Sequence, residues 1–137
     1  MFFTIGCDIA KVDRFKDWPN FSKNRLLKIY SEQELQYCFS DQNLILQRLA
    51  VCFSVKESFF KAFSSFLVKS NKTKNEFSFM FACKLIEFTK TTWDVPTLKV
   101  DWKSFEQKIE DKLPEIFVDV SISHESDYVF TTVILHE

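Results

Sequence analysis

From Leu46 to Phe63 the chain reads LQRLAVCFSVKESFFKAF, with neither glycine nor proline and with apolar residues at helical spacing. Nothing in that stretch favours a turn, so it predicts a long helix, running to about Leu67, that supplies much of the core. At about 100° per residue, Leu46, Leu49, Ala50, Phe53 and Phe60 share one face. Glu57 falls near the middle of that face. A carboxylate on a buried stripe is costly unless it is paired, protonated or bound to a cation. Lys61, at i+4, brings an ammonium to the same spot. The helix is therefore expected to mount a site as well as a core.

The chain's 137 residues, 46% of them hydrophobic, suit one compact domain over residues 1–137. With 18 basic and 19 acidic residues the formal net charge is −1, so neither nucleic acid nor an anionic membrane is an expected partner. Phenylalanine occurs 17 times and glycine once, at Gly6. That excludes a Walker loop and a GxGxxG fingerprint, so any phosphate is held another way. Cys7, Cys38, Cys52 and Cys83 stand far apart in sequence, without CxxC or zinc-like spacing, and are expected to be buried or half-buried thiols in a reducing compartment. The N-terminal MFFTIGCDIAK lacks the basic region of a signal peptide, and no apolar run is long enough to span a bilayer. A soluble cytoplasmic protein is expected.

Taken in order, Met1 to Cys7 reads as a strand delivering Asp8 at its end; alternatively Asp8 caps a helical turn over IAKVDRF. Ile9, Val12 and Phe15 repeat every third residue, turning Asp13, Arg14 and Lys16 outward until Trp18-Pro19 breaks the segment. Lys11 to Lys28 is basic within a neutral chain: either a solvated face or a docking surface for an acidic partner. Ser31-Glu32-Gln33-Glu34 is a capping box, starting a helix that runs to about Phe39, and Ser40 or Asp41 can cap the long helix. Lys69 to Glu76 is a polar loop. Phe77 to Phe81, Lys84 to Phe88 and Thr97 to Val100 read as strands. Trp102 to Asp111 reads as a helix with Phe105 and Ile109 inward. Strands at Ile116–Ser123 and Tyr128–Leu135, joined by His124–Asp127, close the chain. Helices gather in the first half and strands in the second, giving an α+β fold: a long central helix packed on a small, mainly antiparallel sheet.

Asp8, Glu57 with Lys61, and Ser121-Ile122-Ser123-His124 together suggest a site. Two carboxylates distant in sequence can share Mg²⁺ with phosphate oxygens, and a lysine and a histidine suit a diphosphate. Each piece alone also has a bland reading, as a helix salt bridge or a hydrogen-bonded turn residue.

Ile5-Gly6-Cys7-Asp8-Ile9 with Arg14-Phe15, Tyr30 to Glu34, Leu49 to Phe63 and Ser121 to His124 occur in the order and spacing of a known family. The chain resembles the bacterial holo-acyl-carrier-protein synthases, the small 4′-phosphopantetheinyl transferases. The resemblance implies transfer of the phosphopantetheine arm of coenzyme A to a serine of apo acyl carrier protein, releasing adenosine 3′,5′-bisphosphate, in fatty acid or lipid biosynthesis. It implies that Asp8 and Glu57 hold Mg²⁺ (or Mn²⁺) against the diphosphate. Lys61 would steady the phosphate oxygens or the leaving group, and Ser123 and His124 would contact coenzyme A. Glu57, directly or through a metal-bound water, would take the serine proton. Arg14 matches the residue that meets the carrier's acidic helix, and Arg25 belongs to the same basic segment. The family's small members are homotrimers with sites between protomers. Two positions depart from the pattern: Phe63-Ser64-Ser65-Phe66 replaces a Gly-Thr-Gly turn, and Cys52 replaces an arginine. A phosphate contact is then expected to move to Arg48 or Lys56. The alternatives are a catalytically impaired carrier-binding homologue and another Mg²⁺-dependent diphosphate chemistry.

Overall fold

The structure, a computed structural model, describes residues 2–137. Met1, where the first predicted strand begins, lies outside the described residues. Strand β1 (Phe3–Lys11) leads into two 3-10 turns, Val12–Phe15 and Trp18–Asn20. Helices α1 (Lys23–Leu26), α2 (Glu32–Phe39), α3 (Ile45–Lys69) and α4 (Phe79–Cys83) follow. Then come the hairpin β2 (Ile86–Lys90) and β3 (Pro96–Val100), helix α5 (Trp102–Ile109), and strands β4 (Phe117–His124) and β5 (Tyr128–His136). β1, β5 and β4 form a three-stranded antiparallel sheet in that order, and β2–β3 a two-stranded one. This is the expected α+β arrangement, with α3 lying against β1 and β5.

Several local expectations change. β1 runs through Asp8 to Lys11, so Asp8 is a strand residue and not a helix cap. Phe77–Phe81, read as a strand, contributes instead to α4. The Ser78 hydroxyl accepts from the Phe81 amide and caps that turn, while the Phe79 ring packs on Phe53 and Phe60 at 5.4 and 5.8 Å. Neither Ser40 nor Asp41 caps α3. Ser40 donates to the Tyr37 carbonyl and Asp41 accepts from the Asn43 amide, leaving Leu44 at the N-cap. Beyond Phe63 there is no glycine to turn the chain. Phe63 and Phe66 are both buried, and α3 continues to Lys69.

The helix is more deeply enclosed than a one-faced amphipath. Every residue from Leu49 to Lys56 is buried, since the sheet covers one side and the 3-10 turns, α2, α4 and α5 cover the others. Phe63 and Phe105 meet at 4.8 Å, and Phe53 meets Phe15 at 5.5 Å. Aromatic rings thus fill much of the core at favourable offset and edge geometries.

The seam between α3 and the sheet is narrow and polar. Ser54 and Ser58 share hydrogen bonds with the Thr131 hydroxyl at 2.8 and 2.7 Å, and Thr4 donates to the Ala62 carbonyl at 2.9 Å. Gly6 sits on this seam. A Cβ there would lie 2.0 Å from the Ser58 carbonyl oxygen and 2.7 Å from the Ala62 nitrogen. The chain's one glycine therefore permits the closest approach of β1 to α3. Of the cysteines, Cys38, Cys52 and Cys83 are buried as expected, whereas Cys7 is exposed on the outer face of β1. Cys38 and Cys52, separated in sequence, bring their sulfurs to 3.9 Å. Their hydrogen bond, followed by burial, pushes the Cys52 thiol well above its ordinary range. Among the described residues no helix is long and apolar enough to cross a membrane.

Candidate active site

β1 alternates so that Thr4, Gly6 and Ala10 are buried toward α3, with Asp8 half-buried on the same side, while Ile5, Cys7 and Ile9 face outward. Because Gly6 lets β1 lie close, Asp8 reaches the surface of α3 that carries Glu57 and Lys61. Lys61 Nζ donates to the Cys7 carbonyl at 2.9 Å and stands 3.4 Å from Asp8 Oδ1. Glu57 is half-buried. Burial first, and the charge of Asp8 second, push its carboxyl above the usual carboxylate range, with Lys61 and Arg14 opposing. Asp8, Glu57, Lys61 and Arg14 therefore act in one electrostatic field. Arg14 also lies over the Phe53 ring at 4.8 Å, one turn before Glu57 on α3. Arg25 stacks over Phe21 at 3.7 Å on the exposed side of α1.

The expectation that Glu57 is the buried charge of α3 needs correction. The fully buried charge is its neighbour Lys56, paired with Glu34 at 2.7 Å, both side chains 0% exposed. Lys56 also donates to the Ile29 and Cys83 carbonyls, at 2.6 and 3.1 Å. The assignment of Lys56 to coenzyme A contact is therefore corrected: its three donors are all used inside the core. The sequence did contain a signal for its partner. Glu34 closes the Ser31 capping box, but an acid on the inner face of α2 also requires a buried cation.

Arg48 and His124 belong to a second region. They line a cavity of about 580 Å³ together with Tyr37, Gln47, Lys90 and Asp94. Arg48 Nη1 donates to the Tyr37 carbonyl and the Ser40 hydroxyl, and the guanidinium stacks on the Tyr37 ring at 4.3 Å. His124 Nδ1 meets Gln47 at 2.6 Å. Lys90 and Asp94, from the β2–β3 hairpin, carry no signal in the sequence, because their place beside β4 depends on tertiary packing. Ser123 lies outside this lining: it pairs in register with Phe130 on the opposite face of the sheet.

Within one chain these two regions do not join. Asp8 and His124 are on opposite edge strands with β5 between them, so two strand spacings set them roughly 10 Å or more apart. Among the described residues no group of three or more His, Cys, Asp and Glu side chains is placed to hold a metal. Mg²⁺ needs only one or two protein carboxylates when phosphate oxygens complete its shell. Asp8 and Glu57, whose charges repel and whose neighbour Lys61 is a cation able to yield, fit that donor set.

Residues 4–133 match the model of the 4′-phosphopantetheinyl transferase superfamily, and the chain belongs to that family. Among curated relatives, the holo-[acyl-carrier-protein] synthase of Aquifex aeolicus is 33% identical over 125 residues, covering 90% of each chain. That of Borreliella burgdorferi is 29% identical over 134 residues, covering 96% of this chain and 97% of the other. Among solved structures, a complex of the Chronobacterium ammoniagenes ACPS with coenzyme A superposes with a TM-score of 0.77 at 20% identity, covering 99% of this chain and 98% of that one.

Proposed function

We propose that the chain transfers the 4′-phosphopantetheine arm of coenzyme A to a serine of apo acyl carrier protein, acting as one domain over residues 1–137. The observation that carries this reading is the Asp8–Glu57–Lys61 cluster, set between β1 and α3 in a chain of this family. The serine oxygen attacks the phosphorus bearing the pantetheine arm. A P–O bond forms, the bond to the bridging diphosphate oxygen breaks, and adenosine 3′,5′-bisphosphate departs. Glu57, made a stronger base by its partial burial and the charge of Asp8, accepts the serine proton as the carboxylate, directly or through a water. Lys61 neutralises charge accumulating on the phosphate oxygens. Mg²⁺ or Mn²⁺, held by Asp8 and Glu57, would supply Lewis-acid stabilisation of the diphosphate. Arg48 and His124 offer donors to the nucleotide end.

The separation of Asp8 from His124 supports a site completed by a neighbouring copy. The outer face of the three-stranded sheet offers the contact: Ile9 is 65% exposed, Phe3 58% and Ile5 54%, with Phe130 and Tyr128 beside them on β5. An apolar face of this kind is typical of a subunit interface. The homotrimer implied by the family resemblance uses it in this reading. Sedimentation velocity should give the mass of three copies; a single-copy mass at every concentration would overturn the assembly.

Incubating the chain with coenzyme A, Mg²⁺ and apo acyl carrier protein should add the phosphopantetheine mass to the carrier. No gain across several apo carriers would overturn the function, and phosphate release from nucleotides without a carrier would indicate a different diphosphate chemistry. Arg14→Glu should raise the KM for the carrier about tenfold or more and leave that for coenzyme A nearly unchanged. Equal changes would remove the docking role. A carrier serving fatty acid synthesis in the cytoplasm is the matching biological setting.

A further inference from the structure

Lys56 stands out because it places a full charge at the centre of the core. A buried ion pair is weak evidence for stability: well-packed apolar side chains of similar volume often serve as well or better. What an ammonium adds is direction, since its three donors define three points. One is the Ile29 carbonyl, at the end of the basic segment that carries Arg14 and Arg25. Another is the carbonyl of Cys83, the last residue of α4. The third is Glu34 of α2. Glu34 in turn accepts from the Ser31 and Phe88 amides, both at 2.7 Å, so β2 is tied to the same point.

The two segments whose ends Lys56 holds are those that flank Glu57. Phe53, one turn before Glu57, is packed by Phe15 and Trp18 from the 3-10 turns and by Phe79 from α4. Phe60, nearly one turn after it, is packed by Phe77 and Phe79. Successive helix residues differ by about 100°, so with Lys56 locked inward Glu57 is turned toward the opening between these walls.

Resting on the transferase reading above, we propose that Lys56, with Glu34, is a positioning residue for the transfer. It holds the carrier-docking segment and α4 at one buried point and thereby fixes the cleft in which Glu57 meets the carrier serine. It touches neither substrate. Its effect is on the carrier side of the reaction, because Ile29 ends the Arg14–Arg25 docking segment and both walls pack beside Glu57, whereas no residue of the 3-10 turns or of α4 lines the Arg48–His124 cavity.

The test uses the full chain with two replacements, Lys56→Met and Lys56→Met combined with Glu34→Gln. The double variant leaves no unpaired buried charge and retains a side chain at position 34 able to accept from the Ser31 amide. Expected for the double variant are a folded protein, an unchanged dissociation constant for coenzyme A by calorimetry, and at least a tenfold loss in kcat/KM for the carrier. Wild-type kcat and KM for the carrier in the folded double variant would overturn the proposal, as would a tenfold or greater weakening of coenzyme A binding by calorimetry. On the wild-type chain, carrier binding should slow hydrogen exchange of the Phe88 amide. This measurement decides if neither variant folds: protection confined to residues 12–30 would overturn the proposal. Failure of the wild-type chain to modify any apo carrier would instead count against the transferase reading itself.

Discussion

Glu57→Gln is expected to lower the rate of phosphopantetheine transfer on the order of 10³-fold or more while leaving the fold in place. The amide keeps the shape of the carboxylate but cannot accept a proton at neutral pH and is a poor ligand for Mg²⁺. The fold should not suffer, because burial and the charge of Asp8 already oppose ionisation at this position. The sign of the stability effect follows. Glu57's pKa is raised in the folded chain, so the stabilisation that protonation gives is fully present below the ordinary carboxylate pKa and is lost as pH rises through the raised value. The variant should therefore match the wild type in Tm in acid and equal or exceed it at neutral pH. Intact-mass assays and melting curves across pH check both halves. A variant that transfers at a rate near wild type would remove Glu57 from the chemistry.

Gly6→Ala should have the largest effect on stability. The added methyl would meet the Ser58 carbonyl oxygen at 2.0 Å and the Ala62 nitrogen at 2.7 Å, both backbone atoms of a packed helix that cannot swing aside. Relief requires β1 to lift from α3, disturbing the Thr4–Ala62 hydrogen bond and the Lys61 contact with the Cys7 carbonyl. A loss of about 3 kcal/mol is expected, at the upper end of ordinary overpacking costs. Because β1 carries Asp8, activity should fall even below the melting transition. Denaturant unfolding measures the first effect and intact-mass assays the second. A loss under about 1 kcal/mol would show that the seam relaxes easily.

Some of this was legible in the sequence. The capping box at Ser31 located α2, alternation located β4 and β5, and the absence of breakers located α3. What the sequence hid has a common physical cause. α3 is apolar on nearly every side, so its periodicity does not tell which charge faces inward: Lys56, expected at a substrate, is the buried one, and Glu57, expected on the stripe, is half-buried. Phe77–Phe81 is aromatic enough for a strand, but a single serine cap and the waiting rings of Phe53 and Phe60 made it helical. Ser123 and His124 are adjacent in sequence yet lie on opposite faces of β4, as strand alternation requires. Asp8 and His124 belong to opposite edges of the sheet, a separation that only topology reveals.

The outward position of Cys7 gives the chain a chemical reporter of its own. It lies on the outer face of β1 between Ile5 and Ile9, while the other three thiols are buried. A small alkylating reagent added to the native chain should therefore read out a single position. Its rate there measures how long that face stays open to solvent, so covering of the sheet can be timed on the unmodified sequence, without a label or an added tag.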